Sequence, residues 1–433
     1  MNLRVAIVGS GIAGLSAAHH LQGHAQISLF EAGGYFGGHT HTVDITLAGA
    51  NGDVSFGVDT GFLVYNERTY PGLIELFAQL GIHTAPSDMS FSVQAPWGRK
   101  ARTLEWNGAN LNTVFAQRSN LLRPKFWWLL RDIIRFNRLC TQLAASYDDG
   151  ALMQPLQTFL DTHGFGSTFR DAYLLPMLGC IWSCPTTQML QFPAATMVRF
   201  CDNHGLLQVN NRPQWFTVQG GAKHYVQAIT SRIADKRLNT PVLSIERDAQ
   251  GVVLHTAQGS ERFDQVVIAT HADQALRLLA HPSDDEQALL SRIGFQDNLA
   301  VLHTDASVMP QNRLAWAAWN YQRSSDAQEN AHVCLHYWLN KLQPLPFTQD
   351  VFVTLNPTRE IASQQVLGQF AYAHPVFDLQ AIQAQRHLPR LQGQQHTWYA
   401  GAWMGYGFHE DGLKAGRSAA NGILQLLMQE EAA

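Results

Sequence analysis

The chain has 433 residues, 46% of them apolar and 15% charged, with a formal net charge of −4 at neutral pH. That length holds two domains with cores of their own, and the acidic balance gives no basic field for nucleic acid. Five cysteines, an odd number without a C-x-x-C pair, read as reduced thiols of a cytoplasmic protein, and no run reaches the ~20 apolar residues of a spanning helix. The N-terminal apolar run is broken by glycines and lacks a cleavage site, unlike a signal peptide. Nineteen histidines invite a metal. However, Cys180 and Cys184 have no partners at zinc-ligand spacing, His19 and His20 fall in an expected helix, and His39 and His41 alternate on an expected strand. No metal is expected.

Leu3 to Val8 is a short β-branched run. It breaks into Gly9-Ser10-Gly11-Ile12-Ala13-Gly14, and helical composition follows from Leu15 to Leu21. A second strand, Ile27 to Phe30, ends on Glu31. Strand, G-x-G-x-x-G, helix, strand, acid is the dinucleotide-binding βαβ pattern, where a glycine turn alone would be merely structural. Each glycine meets a different demand: Gly9 a tight strand exit, Gly11 close approach of amides to a pyrophosphate, Gly14 close packing of helix on sheet. The positive helix end favours the anion, and Glu31 is placed to accept from ribose hydroxyls.

The stretch Glu31-Ala32-Gly33-Gly34-Tyr35-Phe36-Gly37-Gly38-His39-Thr40 adds a glycine pair six residues after the acid. Here the sequence resembles the FAD-dependent amine oxidase and phytoene desaturase superfamily, in which that pair lies beside the FAD phosphates and ribityl chain. The resemblance implies FAD in place of NAD, and with no cysteine for covalent attachment near Phe370-Ala371-Tyr372 the FAD is expected to be noncovalent. It also implies a Rossmann-type α/β FAD-binding domain interleaved with an α+β substrate part. The family usually has Arg at the His39 position, and a neutral imidazole is the weaker phosphate partner.

Alternation through Val43 and Ile45, a turn at Ala50-Asn51-Gly52-Asp53, and alternation through Val58 predict a hairpin. By the resemblance, Gly61, Phe62 and Leu63 pass the flavin ring. Leu73, Leu76, Phe77 and Leu80 predict a helix stopped by Gly81. In the stretch from Lys125 to Arg138, Phe126, Leu129, Leu130, Ile133 and Ile134 share one face and Arg131, Arg135 and Arg138 another. This is either a basic amphipathic helix on an anionic inner membrane face or a substrate-domain helix with a solvated basic side.

Gln219-Gly220-Gly221 opens a helix through Tyr225, Ile229 and Ile233. Strands follow from Val242, from Val252 and from Val266 to Thr270; in the superfamily the Val242 position pairs with the adenine edge. Trp316, Trp319, Tyr321, Tyr337 and Trp338 are core aromatics of which strand alternation can place half in a pocket. Trp398 to Gly412 resembles the family's last segment, in which strand, Ala-Gly and a loop lead to a Gly-started helix whose N-terminus faces the flavin pyrimidine. This adds Gly401, Ala402, Glu410, Asp411 and Gly412 to the cofactor-side residues. The implied segments are 1–84, 213–280 and 393–433 for FAD, and 85–212 and 281–392 for the substrate.

Within the superfamily the chain resembles bacterial predicted NAD/FAD-binding proteins associated with cyclopropane-fatty-acid-synthase-like methyltransferases. The shared phrases are Val58-Asp59-Thr60-Gly61-Phe62, Asn203-His204-Gly205, Trp319-Asn320-Tyr321 and Gly407-Phe408-His409-Glu410-Asp411-Gly412. It departs from amine oxidases where Asn298 stands at the lysine position, His409 at the later tyrosine position, and Ala402 at the carboxylate of Ala-Gly-Glu. The expectation is an FAD oxidoreductase moving a hydride on a hydrophobic substrate, an unsaturated fatty acyl chain. His409 is the first acid/base candidate and Tyr406 the second. The alternatives are an amine oxidase, a redox-neutral double-bond isomerase, and a non-catalytic flavoprotein partner of a lipid methyltransferase.

Overall fold

The computed structural model describes residues 3–97, 102–146, 152–208, 212–323 and 333–432. A five-stranded parallel sheet carries the βαβ unit. Its order is Asp235–Arg237, Gln26–Phe30, Arg4–Val8, Gln265–Ile268, Thr397–Tyr399. The central strand is apolar on both faces because both are covered, as parallel sheets require. Val5 and Ile7 pack toward the helices Ile12–Leu21, Pro71–Leu80, Lys223–Thr230 and His409–Ala432. Ala6 and Val8 pack toward an antiparallel meander of Val242–Asp248, Gly251–Thr256 and Gly259–Phe263.

A second, seven-stranded sheet runs Val366–Pro375, Phe295–His303, Phe352–Leu355, Cys334–Trp338, Trp319–Gln322, Phe91–Trp97, Arg102–Asn107. All its pairings are antiparallel except Trp319–Gln322 with Phe91–Trp97. Helices Pro124–Ser146, Leu175–Trp182 and Ala194–Asn203 build the core over it through Phe126, Phe136, Leu178 and Val198. The result is the α/β architecture expected: a Rossmann-type sheet beside an α+β part. The hairpin Thr42–Gly49/Gly52–Asp59 and the helix Pro71–Leu80 also form, the latter stopped by Gly81 at φ 68°.

Four local expectations are corrected. The helix expected to run to Ile233 ends at Thr230, where Lys236 Nζ donates to the Thr230 and Ile233 carbonyls, and Asp235–Arg237 becomes an edge strand. The last helix begins at His409, three residues before Gly412. His39 and His41 precede the strand that starts at Thr42, because Gly37 and Gly38 turn the chain with φ of 126° and 58°. In helix Pro124–Ser146, Phe126 and Leu129 are buried, but Ile134 is 66% exposed and lies on the outer side.

Candidate active site

A cavity of about 860 Å³ runs from the parallel sheet into the seven-stranded sheet. At its first end the carboxyl edge of Arg4–Val8 opens into the glycine loop. A Cβ on Gly9 would meet the Ala269 carbonyl at 2.7 Å, and one on Gly14 the Gly9 carbonyl oxygen at 2.0 Å. A Cβ on Gly11 would meet nothing within 4 Å, and Gly11 lines the cavity. Gly9 and Gly14 are thus fixed by the protein, whereas Gly11 leaves open space. The helix Ile12–Leu21 starts there with no side-chain cap, so its first amides, beside Ile12 and Ala13, turn toward the cavity. The Glu31 carboxylate accepts from the Ser10 amide (3.0 Å), the Ser10 hydroxyl (2.5 Å) and the Gly33 amide (2.8 Å). A carboxylate has about four acceptor sites, so Glu31 is anchored and still has a lone pair for a ribose hydroxyl. Gly37 donates to Ser10 Oγ (3.1 Å), and Gly38 packs its Cα side on Gly11. A cradle with open amides, an anchored acid and no bulk at Gly11 fits the diphosphate and ribose of FAD.

Ala32, His39, Gly61, Phe62, Leu63, Val242, Gly401, Ala402 and His409 line the same cavity. His39 lies between His374 and Tyr372, with ring centroids 5.2 and 5.0 Å away. Burial, then the neighbouring His374 and His271, hold it well below the usual imidazole range. It is therefore neutral, and it cannot supply the charge of the family's arginine. Nε2 of His39 is buried with no hydrogen-bond partner.

Six expected site residues lie outside the lining, each for a visible reason. Gly14 is covered by the Gly9 turn, and Gly412 packs on Ile12, whose Cγ2 would be 2.7 Å from an added Cβ. Thr40 is buried, its hydroxyl 2.5 Å from the Tyr225 hydroxyl. The Glu410 carboxylate accepts the amides of Gly72 (3.0 Å) and Leu73 (2.9 Å), capping helix Pro71–Leu80 across the fold. Asp411 Oδ2 accepts the amides of Tyr406 (3.0 Å) and Phe408 (2.9 Å), capping its own helix. Burial pushes the Asp411 carboxyl up to about 6 against those bonds. Tyr406, the second acid/base candidate, belongs to the neighbouring core beside Phe200, and its carbonyl accepts from Trp182 Nε1 (3.2 Å).

His409, the first candidate, faces the cavity with its ring stacked on Phe62 (centroids 3.7 Å apart, planes 10°). Its Nε2 is 2.7 Å from the Tyr225 hydroxyl and 3.2 Å from Thr40 Oγ1. Burial lowers it to about 3, so it stays neutral at any ordinary pH. A neutral imidazole held by two hydroxyls is placed to position the start of helix His409–Ala432 rather than to carry a charge near neutrality. The residues missed in the sequence are His374, held by Asn298 Nδ2 (2.8 Å) and lowered by burial to about 4, and Tyr372, bonded to Thr60 Oγ1 (2.7 Å). Asn298 itself takes a bond from Asn356.

The second end of the cavity is a chamber of Met89, Phe91, Met177, Cys180, Ile181, Leu206, Val353 and Leu355, closed by Phe200 and Phe408. Of the five aromatics singled out by alternation, Trp319 and Tyr337 line it; Trp316, Tyr321 and Trp338 do not. Trp319 meets Tyr337 edge-on at 4.8 Å. The carboxylate and guanidinium of the lining, Glu31 and Arg277, lie in the dinucleotide-binding segments, not in the chamber. The chamber's polar groups are Cys180, Ser183, Tyr337, the Trp319 indole N–H and His204, whose imidazole burial lowers to about 4.

Residues 12–424 match the family of flavin-containing amine oxidoreductases. The fold is similar to that of the CLA-producing fatty acid isomerase from P. acnes, at 15% identity over 97% of this chain and 98% of that one (TM-score 0.69). It is also similar to cyclohexylamine oxidase from Brevibacterium oxydans IH-35A, at 17% identity over 99% and 100% (TM-score 0.68). Putrescine oxidase bound to putrescine is similar at 14% identity over 98% and 99% (TM-score 0.67). No curated protein matches the sequence. Among the described residues, no group of three or more His, Cys, Asp or Glu could hold a metal.

Proposed function

Because the chain belongs to the flavin-containing amine oxidoreductase family, its cofactor is FAD and its chemistry oxidoreduction, and we propose that its substrate is an uncharged hydrocarbon, an unsaturated fatty acyl chain. The observation that carries this is the chamber: Met89, Phe91, Met177, Ile181, Val353 and Leu355 with no charged side chain among them. Burying an unpaired ammonium or carboxylate there would be costly, whereas burying hydrocarbon is favourable by about 25 cal/mol per Å².

When bound, FAD supplies a two-electron centre that takes or returns a hydride. The glycine loop and the start of helix Ile12–Leu21 would hold its diphosphate, and Glu31 its ribose. Asp411 accepts the amides of Tyr406 and Phe408 and so fixes the loop that brings Phe408 and His409 to the cavity wall. Phe200, Phe408, Trp319 and Tyr337 exclude water and orient the chain. Dehydrogenation also releases a proton, and the chamber holds no carboxylate or amine as its base, only the buried His204, which burial lowers to about 4. Lifting and returning a hydride asks for no such base, which favours the redox-neutral version, double-bond isomerisation. The whole-length likeness to a fatty acid isomerase supports it. Amine oxidation is the second reading, supported by the likeness to cyclohexylamine oxidase. Under anaerobiosis, a lipid ester with an unsaturated acyl chain should bleach the flavin transiently and leave with its double bond moved. Bleaching by amines but by no acyl chain overturns the proposal.

A further inference from the structure

We propose that the segment Leu121–Arg138 docks the protein on an anionic lipid bilayer through an apolar face bordered by cations. Exposed large apolar side chains concentrate here: Leu122 is 88%, Trp128 68% and Ile134 66% exposed, with Leu121 at 46% and Trp127 at 48%. In a globular protein such a cluster marks an interaction surface, where scattered single residues would not. Helical spacing puts Trp127, Arg131, Ile134 and Arg138 on one outward stripe, with Trp128 beside it. Trp127 Nε1 donates to the Leu121 carbonyl (3.0 Å), fixing the helix to the turn Arg118–Leu122 that presents both leucines.

The cations are not the set that the sequence pattern groups together. Arg135 donates to the carbonyls of His163 (2.9 Å) and Gly164 (3.2 Å), and its guanidinium lies 3.9 Å from the centre of the Phe165 ring. It belongs to the protein's own packing. Arg131 and Arg138 have no ion-pair or hydrogen-bond partner among the described residues. Lys125 lies over the Trp97 ring at 4.4 Å, with its ammonium at the edge of the patch. From Leu111 to Ser146 the sequence has six Lys or Arg and one acid, Asp132. That acid is within 3.3 Å of Arg135. An apolar face with tryptophans, bordered by cations, complements the anionic headgroups above the acyl region of a bilayer. A second copy is disfavoured, since a two-fold pairing would bring like charges together. Nothing here depends on the acyl substrate. Even so, helix Ala194–Asn203 packs behind this helix and gives Phe200 to the chamber, so docking would put bilayer and chamber on either side of one helix.

The test uses FAD-loaded protein sedimented with vesicles of phosphatidylcholine and phosphatidylglycerol, and with phosphatidylcholine alone. Wild type should sediment with the anionic vesicles and lose most binding between about 0.1 M and 1 M salt. Each surface cation contributes roughly fivefold, so Arg131→Gln/Arg138→Gln should lower partitioning about 25-fold. Leu122→Gln/Trp128→Gln should lower it by about tenfold or more, with less dependence on salt. All four side chains are exposed, so both variants should retain flavin and thermal stability, which checks that they fold. Wild type ignoring anionic vesicles, or both variants binding like wild type, overturns the proposal. A dimer in sedimentation velocity that Leu122→Gln/Trp128→Gln dissolves, without vesicle binding, assigns the face to self-association and also overturns it.

Discussion

The two ends of the cavity are built by different means. The cradle uses backbone: amides at a helix start, three glycines with three distinct jobs, and one carboxylate held by two amides and a hydroxyl. The chamber uses side chains drawn from widely separated parts of the chain: residues 89–91, 177–183, 200–206, 319, 337, 353–355 and 408. One is encoded locally and tolerates little change; the other is encoded by topology and is free to vary in shape.

The sharpest way to break this comparison is within the cradle. Gly14→Val places a branched side chain where even a Cβ would sit 2.0 Å from the Gly9 oxygen. A cost of about 3 kcal/mol or more is expected, so the variant should lose both flavin and a cooperative melt. Gly11→Ala is the counterpart. Its backbone, φ −63° and ψ 176°, suits any residue, and its Cβ meets no protein atom. The apoprotein should melt as wild type does while FAD affinity falls about 100-fold, as measured by flavin titration, since the methyl would occupy the approach to the amides. Equal loss of stability in both variants would show that Gly11 is structural too.

In the chamber the effect should fall on selectivity. Trp319→Phe removes a buried indole N–H that has no partner, so stability should hold while the chamber deepens. The preference between shorter and longer acyl chains should shift about tenfold in kcat/KM, with flavin content unchanged.

The smallest effect is expected at His409, on the border of the two ends. His409→Gln should keep FAD and change the flavin reduction rate by less than about tenfold, with the same profile from pH 5 to 9, because the ring is already neutral there. Its signature is in stability. The folded pKa is depressed, so the contribution is present above the unfolded value near 6.5 and is lost as pH falls toward about 3. Melts of wild type should therefore fall more steeply on acidification over that window than melts of the variant. A pH-dependent rate that disappears in His409→Gln would restore its acid/base role.

The local encoding explains what could be read in advance. The βαβ unit, the hairpin and the helix Pro71–Leu80 each carry their signal within a few turns of chain. Asp235–Arg237 does not: its three residues are charged, and only the neighbouring strand makes them a strand. Glu410 looked like a cofactor-side acid because nothing nearby shows that it caps a helix 338 residues away. Ile134 fits the apolar face of the helix by sequence, and only the packing turns it outward. The parallel pairing of Trp319–Gln322 with Phe91–Trp97 leaves no local trace, and with it went the chamber.

The contact between the first and last helices has a consequence in time. A Cβ on Gly416 would lie 2.0 Å from the Ala13 carbonyl oxygen, and one on Gly412 would reach Ile12, so the helix beginning at His409 is fitted directly onto the helix that starts at the cradle. That partner is translated about 400 residues later, which at ~5–20 residues per second leaves the N-terminal helix waiting roughly 20–80 s on the ribosome. Ala13, Ala17 and Ala18, buried in the finished protein, are bare throughout that interval. A nascent chain halted before His409 should hold no flavin, which makes cofactor loading one of the last events in this protein's synthesis and its first helix the segment most in need of a chaperone.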